Sequence, residues 1–89
     1  MKVVHCKKEH YNIYIGRPTV YGNPFIIGKD GNREEVIRKF EEYARNNSSL
    51  LHFISLLHPD SVLGCWCSPE KCHGDVIIKL WKEKYEQKS

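Results

Sequence analysis

Ser61-Val62-Leu63-Gly64-Cys65-Trp66-Cys67 is the stretch on which the fold turns. It is a nearly continuous apolar run in which polar residues do not recur at helical spacing, the pattern of a strand buried on both faces and typical of a parallel sheet. Its partners lie near the amino terminus. Tyr11-Asn12-Ile13-Tyr14-Ile15 is β-rich and reads as a second strand, with Ile13 to Ile15 beside the buried run, and Val3-Val4-His5-Cys6 reads as another short strand of the same sheet. Phe25-Ile26-Ile27 can add a brief edge strand or anchor the preceding loop, before Gly28-Lys29-Asp30-Gly31 turns the chain.

Between the strands the periodicity changes from two to about 3.6. Asn32-Arg33-Glu34-Glu35 has the form of a capping box, in which Asn32 accepts from a first-turn amide and Glu35 reaches back to the cap. Val36, Ile37, Phe40, Tyr43 and Ala44 then follow at helical spacing. Asn46-Asn47-Ser48 interrupts them, and Leu50, Leu51, Phe53, Ile54 and Leu57 supply a second helix that ends before Pro59. Beyond the buried run, Asp75 to Glu86 carries Val76, Ile77, Leu80, Trp81 and Tyr85 on one stripe, with lysines concentrated in the last turns, where they suit the helix dipole. The expected fold is a single α/β domain over residues 1–89: a small, mostly parallel sheet of three or four strands with about three helices, Rossmann-like in character.

Composition narrows the function classes. With 89 residues, 40% hydrophobic and 28% charged, the chain has the make-up of an ordinary globular domain with room for one core. No apolar run approaches the roughly 20 residues of a membrane span, and Met1 to Lys7 lacks the apolar stretch of a signal peptide, so a cytoplasmic location is expected. In that compartment the four cysteines are thiols or metal ligands rather than disulfides. The net charge of +3 is small and its basic residues alternate with acids, which disfavours nucleic acid as a partner.

Chemistry-bearing residues gather where the buried run ends. Cys65 and Cys67, two apart on a strand, point to one face and Trp66 to the other. Cys72, His73, Gly74 and Asp75 then open the last helix, so thiols, an imidazole and helix amides meet at the carboxyl end of a strand, where open α/β sheets bind ligands. Cys65, Cys67, Cys72 and His73 are four donors of the kind zinc takes, although a C-x-C on a strand followed by an adjacent Cys-His pair lacks the usual knuckle spacing. A thiol beside an imidazole at a helix start can also be a nucleophile, in Cys72 or Cys67, but no orienting third residue is recognisable. Asp75 suits ribose hydroxyls better than an anion.

The loop after the second strand faces the same rim if the two strands run parallel. Gly16 permits close approach of a ligand, Arg17 offers a forked donor for phosphate or carboxylate, and Pro18 fixes the turn. Tyr21 and Asn23, within Tyr21-Gly22-Asn23-Pro24-Phe25, can stack on or hydrogen-bond to a base.

Tyr14-Ile15-Gly16-Arg17-Pro18, Gly22-Asn23-Pro24-Phe25, Gly31-Asn32-Arg33-Glu34-Glu35, Leu63-Gly64-Cys65-Trp66-Cys67 and Cys72-His73-Gly74-Asp75 together resemble the family known as domain of unknown function 4326, found in bacteria and their phages. The resemblance runs over nearly the whole chain, with Tyr21 where many members carry tryptophan. It implies no activity, but it allows a phage-borne protein acting on a host nucleotide signal. The expectation is binding, with or without chemical alteration, of a nucleotide or nucleotide-derived molecule: Arg17 on phosphate, Tyr21 and Asn23 on the base, His73 and Asp75 on phosphate or ribose. Two other classes stay open. One is a small zinc-stabilised module that binds a host protein; the other is a thiol-dependent enzyme.

Overall fold

Val62–Cys65 is the central strand of a three-stranded sheet in the computed structural model, which describes residues 1–66 and 70–88. Cys67 and the side chain of Tyr85 lie outside that description. The elements run β1 (Lys2–His5), β2 (Ile13–Tyr14), α1 (Arg33–Arg45), α2 (Ser48–Ser55), β3 (Val62–Cys65) and α3 (His73–Lys88). The sheet order is β1-β3-β2 and both pairings are parallel, so the protein is an α/β fold at the lower end of the expected strand number, compatible with the Rossmann-like expectation.

The two amino-terminal strands do not touch, because β3 lies between them. β1 ends level with Cys65 (His5 opposite Cys65) and β2 begins level with Leu63 (Ile13 opposite Leu63). Residues 6–12 therefore carry the chain back along β3 and over it, a journey that parallel strands usually make through a helix of a dozen or more residues. Two features make the short route possible. Gly64 has no side chain, and the ring of Tyr11 occupies the space: a Cβ built on Gly64 would stand 2.6 Å from Tyr11 Cγ. Asn12 then stitches the crossing to the strand, its Oδ1 accepting from Val62 N at 2.8 Å and its own N–H donating to Val62 O at 3.1 Å. β2 is shorter than the expected 11–15, since Tyr11 and Asn12 belong to the crossing; Ile15 N–H still donates to Gly64 O at 3.0 Å.

Leu63, Cys65 and Ile15 join residues from all three helices in one buried cluster that includes Phe40, Leu50, Ile54 and Ile77. Each such fully buried side chain contributes roughly 1.5–3 kcal/mol relative to exposure. The capping box forms as its residue types require: Glu35 N–H donates to Asn32 Oδ1 at 2.9 Å, and Asn32 N–H to Glu35 Oε1 at 3.1 Å. Asn47 caps α2 in the same way through Leu50 N–H at 3.1 Å. Phe25 to Ile27 forms no strand. Ile26 N–H is taken by the Asp30 carboxylate and Gly28 N–H by Gly31 O, which spends the donors inside a turn closed by one bridge, Ile27 to Gly31.

α3 starts at His73, two residues ahead of the expected Asp75. The sulfur of Cys72 accepts from Gly74 N–H at 3.3 Å while Asp75 Oδ2 faces Cys72 N at 3.4 Å, a capping arrangement in which sulfur replaces the usual oxygen. Gly74 lets the helix start press onto the sheet; a Cβ there would meet Val3 Cγ2 at 2.8 Å and Ile15 Cδ1 at 2.9 Å. Across the helices, Glu41 pairs with Arg45 and Lys79, and Arg45 reaches Glu83, linking α1 to α3. Among the described residues, no helix is long and apolar enough to cross a membrane.

Candidate functional site

A cleft of about 400 Å³ opens where β2 and β3 end. This is the position that ligands occupy in open parallel sheets, because the strand ends and the helix starts that follow them leave a crevice there. Its base is Cys65, Cys72 and His73; one wall is the loop carrying Gly16, Arg17, Asn23, Phe25, Ile26 and Ile27; the other is Arg33, Val36 and Ile37 of α1. Tyr14, Trp66 and Lys71 complete the lining.

The loop wall is held by its own polar groups. Asn23 lines the cleft with both ends of its amide engaged: Oδ1 accepts from Phe25 N–H at 2.9 Å and Nδ2 donates to Val36 O at 3.2 Å, tying the loop to α1. Thr19 turns the chain by donating through Oγ1 to Gly16 O at 2.6 Å. His73, only 8% exposed, places Nε2 2.7 Å from Ile15 O and packs edge-on against Phe40 at 5.1 Å between ring centres. Its pKa is lowered, first by burial; contacts with the carbonyls of Ile15 and Tyr21 oppose that shift, and the nearby Arg17 charge adds to it. The imidazole thus fastens the start of the loop to the start of α3.

Among the described residues, three cations line the cleft: Arg17, Arg33 and Lys71. Arg33 Nη2 pairs with Glu70 at 2.7 Å and Nη1 donates to Lys71 O at 3.1 Å, which braces the segment ahead of α3 against α1. Among the described residues, Arg17 and Lys71 enter no ion pair. Trp66 is 55% exposed, an unusual condition for the largest apolar side chain. Its position is fixed: the indole N–H donates to Tyr14 Oη at 2.7 Å, His5 packs against it at 5.8 Å in a T-shaped contact, and Lys7 Nζ sits 5.4 Å from the ring centre.

Cys65 Sγ and Cys72 Sγ are 3.2 Å apart and buried. The hydrogen bond to Cys65, followed by burial, holds the Cys72 thiol well above the usual range, so this sulfur keeps its proton. A thiol in that state is a poor nucleophile. Among the described residues no three His, Cys, Asp or Glu side chains converge on a common point. Of the four zinc donors considered, Cys67 is outside the described residues and His73 Nε2 is directed at Ile15 O.

Of the sequence-derived site, the cleft gathers Gly16, Arg17, Asn23, Cys65, Cys72 and His73, so Arg17 and His73 do share one rim. Pro18, Tyr21, Gly74 and Asp75 are not in its lining. Tyr21 turns to α2, donating to Phe53 O at 3.2 Å, and Asp75 serves the helix cap. Arg33, Lys71 and Trp66 are lining residues that the sequence reading did not single out. The capping box held the clue to Arg33, since it fixes that residue in the first turn of α1.

The family model described as Domain of unknown function (DUF4326) matches residues 2–83. The chain belongs to the DUF4326 family. The matched span includes every residue that lines the cleft. An uncharacterized 12.4 kDa protein from the nrdA-td intergenic region of Enterobacteria phage T4 is 34% identical over 95 residues, covering 96% of this chain and 84% of that protein. A protein similar to this chain is thus carried by a phage. No solved structure matches.

Proposed function

We infer that the cleft binds a nucleotide or a nucleotide-derived small molecule. The observation that carries this reading is the pairing of two different surfaces in one crevice: the cations Arg17, Arg33 and Lys71, and the exposed, hydrogen-bonded indole of Trp66. Cationic side chains match phosphoryl oxygens, and an aromatic face stacks on a base with little sequence preference, a contact worth about 1–3 kcal/mol per base. A volume of about 400 Å³ is in the range of small-molecule pockets. In this reading Arg17 and Lys71 hold phosphate, Trp66 takes the stacking role first considered for Tyr21, and Asn23 and His73 keep the wall in shape. The thiol-enzyme alternative is less well supported, because Cys72 retains its proton.

Isothermal titration with nucleosides and their mono-, di- and triphosphates tests the reading. Phosphorylated members are expected to bind and bare nucleosides to bind much more weakly. Arg17→Ala is expected to weaken binding about ten- to a hundredfold, as for loss of a charged hydrogen bond. If no member of the panel binds at millimolar concentration, or if Arg17→Ala and Trp66→Ala bind as tightly as the parent, the reading fails.

A further inference from the structure

We propose that Cys65 and Cys72 form a redox-active dithiol that a peroxide converts reversibly into a disulfide. The inference stands apart from the nucleotide reading. It begins with geometry: the sulfurs lie 3.2 Å apart, one at the end of β3 and the other at the start of α3. A bond of about 2.05 Å requires each sulfur to advance by little more than half an ångström, within the reach of side-chain torsions. Both residues line the cleft, which gives a small oxidant a path to groups otherwise buried. Cys6 stands apart, half-buried at the end of β1 and outside that lining.

Gly74 N–H points at the Cys72 sulfur, and the Cys65 sulfur faces it from the end of β3. Either sulfur can meet the peroxide first, and the chemistry is the same with the roles exchanged. With Cys65 first, its electron pair displaces hydroxide from the O–O bond of the peroxide, giving a sulfenic acid, and hydroxide takes up the thiol proton as water. The Cys72 sulfur next attacks that sulfenic sulfur; the S–O bond breaks, and the departing hydroxide leaves with the Cys72 proton as a second water. Two thiols are oxidised by two electrons and one peroxide is reduced to two waters. Two equivalents of an external thiol reverse the change and leave as their own disulfide.

The test uses the full chain carrying Cys6→Ser and Cys67→Ser, reduced, then exposed to hydrogen peroxide, denatured, treated with iodoacetamide and weighed intact. The expected product has lost two hydrogen atoms and takes no alkyl label, and reduction with dithiothreitol restores two labels. Two labels after peroxide, or oxygen added to one sulfur with no cross-link, overturns the proposal. Peptide mapping of the peroxide-treated parent chain serves if the double variant does not fold. A Cys65–Cys72 linked peptide is expected there, and cross-links made chiefly through Cys6 or Cys67 overturn the proposal.

Discussion

Replacing Gly64 with alanine tests the crossing of residues 6–12 over β3. The new methyl carbon would stand 2.6, 2.8 and 2.9 Å from Cγ, Cδ1 and Cδ2 of Tyr11, so the ring must retreat by close to 1 Å to reach ordinary contact. Gly64 is buried, and Asn12, the residue after Tyr11, is hydrogen-bonded to Val62, so a retreat of the ring disturbs the stitching of the crossing. Overpacking of this kind costs about 1–3 kcal/mol, a large part of the 5–15 kcal/mol typical of a domain. For a chain of this size each 1 kcal/mol lowers Tm by about 4–8 °C. The assay is urea unfolding of four proteins: parent, Gly64→Ala, Tyr11→Ala and the double variant. Gly64 has no positive φ, so alanine is conformationally acceptable there once the ring is gone, and it then gains about 0.4–1 kcal/mol from the less disordered unfolded chain. The expected result is a coupling of at least about 1 kcal/mol between the two sites. Additivity within about 0.5 kcal/mol would refute the placement of Tyr11 on Gly64.

Further outcomes follow from the caps and the titrating groups. Asn32→Ala removes the capping acceptor of α1 and is expected to cost about 1 kcal/mol by urea midpoint. Glu41 has a lowered pKa, caused first by its hydrogen bond with Arg45 and aided by Lys79, so its contribution is present at neutral pH and lost as pH falls through that lowered value. Glu41→Gln is expected to cost at most about 1 kcal/mol at pH 7, and the difference from the parent is expected to shrink as the pH falls below the ordinary carboxylate range. Burial lowers the pKa of His73, so the folded state resists its protonation; the stability this represents is complete above the free value of about 6.5 and falls as pH drops below it. Urea midpoints at pH 7.5 and 5.5 should fall more for the parent than for His73→Gln.

Much of the scaffold was readable because its signals are local. The apolar run at Val62–Cys65 announced a strand covered on both sides, and Asn32 with Glu35 announced the start of α1 at the right residue. The carboxyl-end position of the site followed from the parallel arrangement, and it brought Arg17 and His73 to one cleft across a separation of 56 positions in the sequence. What escaped is non-local or chemically unusual. Nothing in residues 6–12 states that they pass over a third strand not yet reached, and the Gly64 that admits them is distant. Cys72 was legible as a thiol but not as a cap, since sulfur rarely takes that place. Tyr21 looked available for stacking until its hydroxyl was found on Phe53 O, while Trp66, read as the residue facing away from the cysteines, presents its ring at the rim.

The strand order has a consequence for how the polypeptide comes together on a ribosome. Both outer strands precede the helical hairpin, yet neither has its sheet partner until the hub at Val62–Cys65 has been made after that hairpin. The nascent amino-terminal portion can assemble its helical hairpin but not its sheet, and its strand edges stay open during that interval. A fragment ending ahead of the hub should therefore be a poor folding unit, and complementation by a separate peptide spanning the hub and last helix would be the way to restore it.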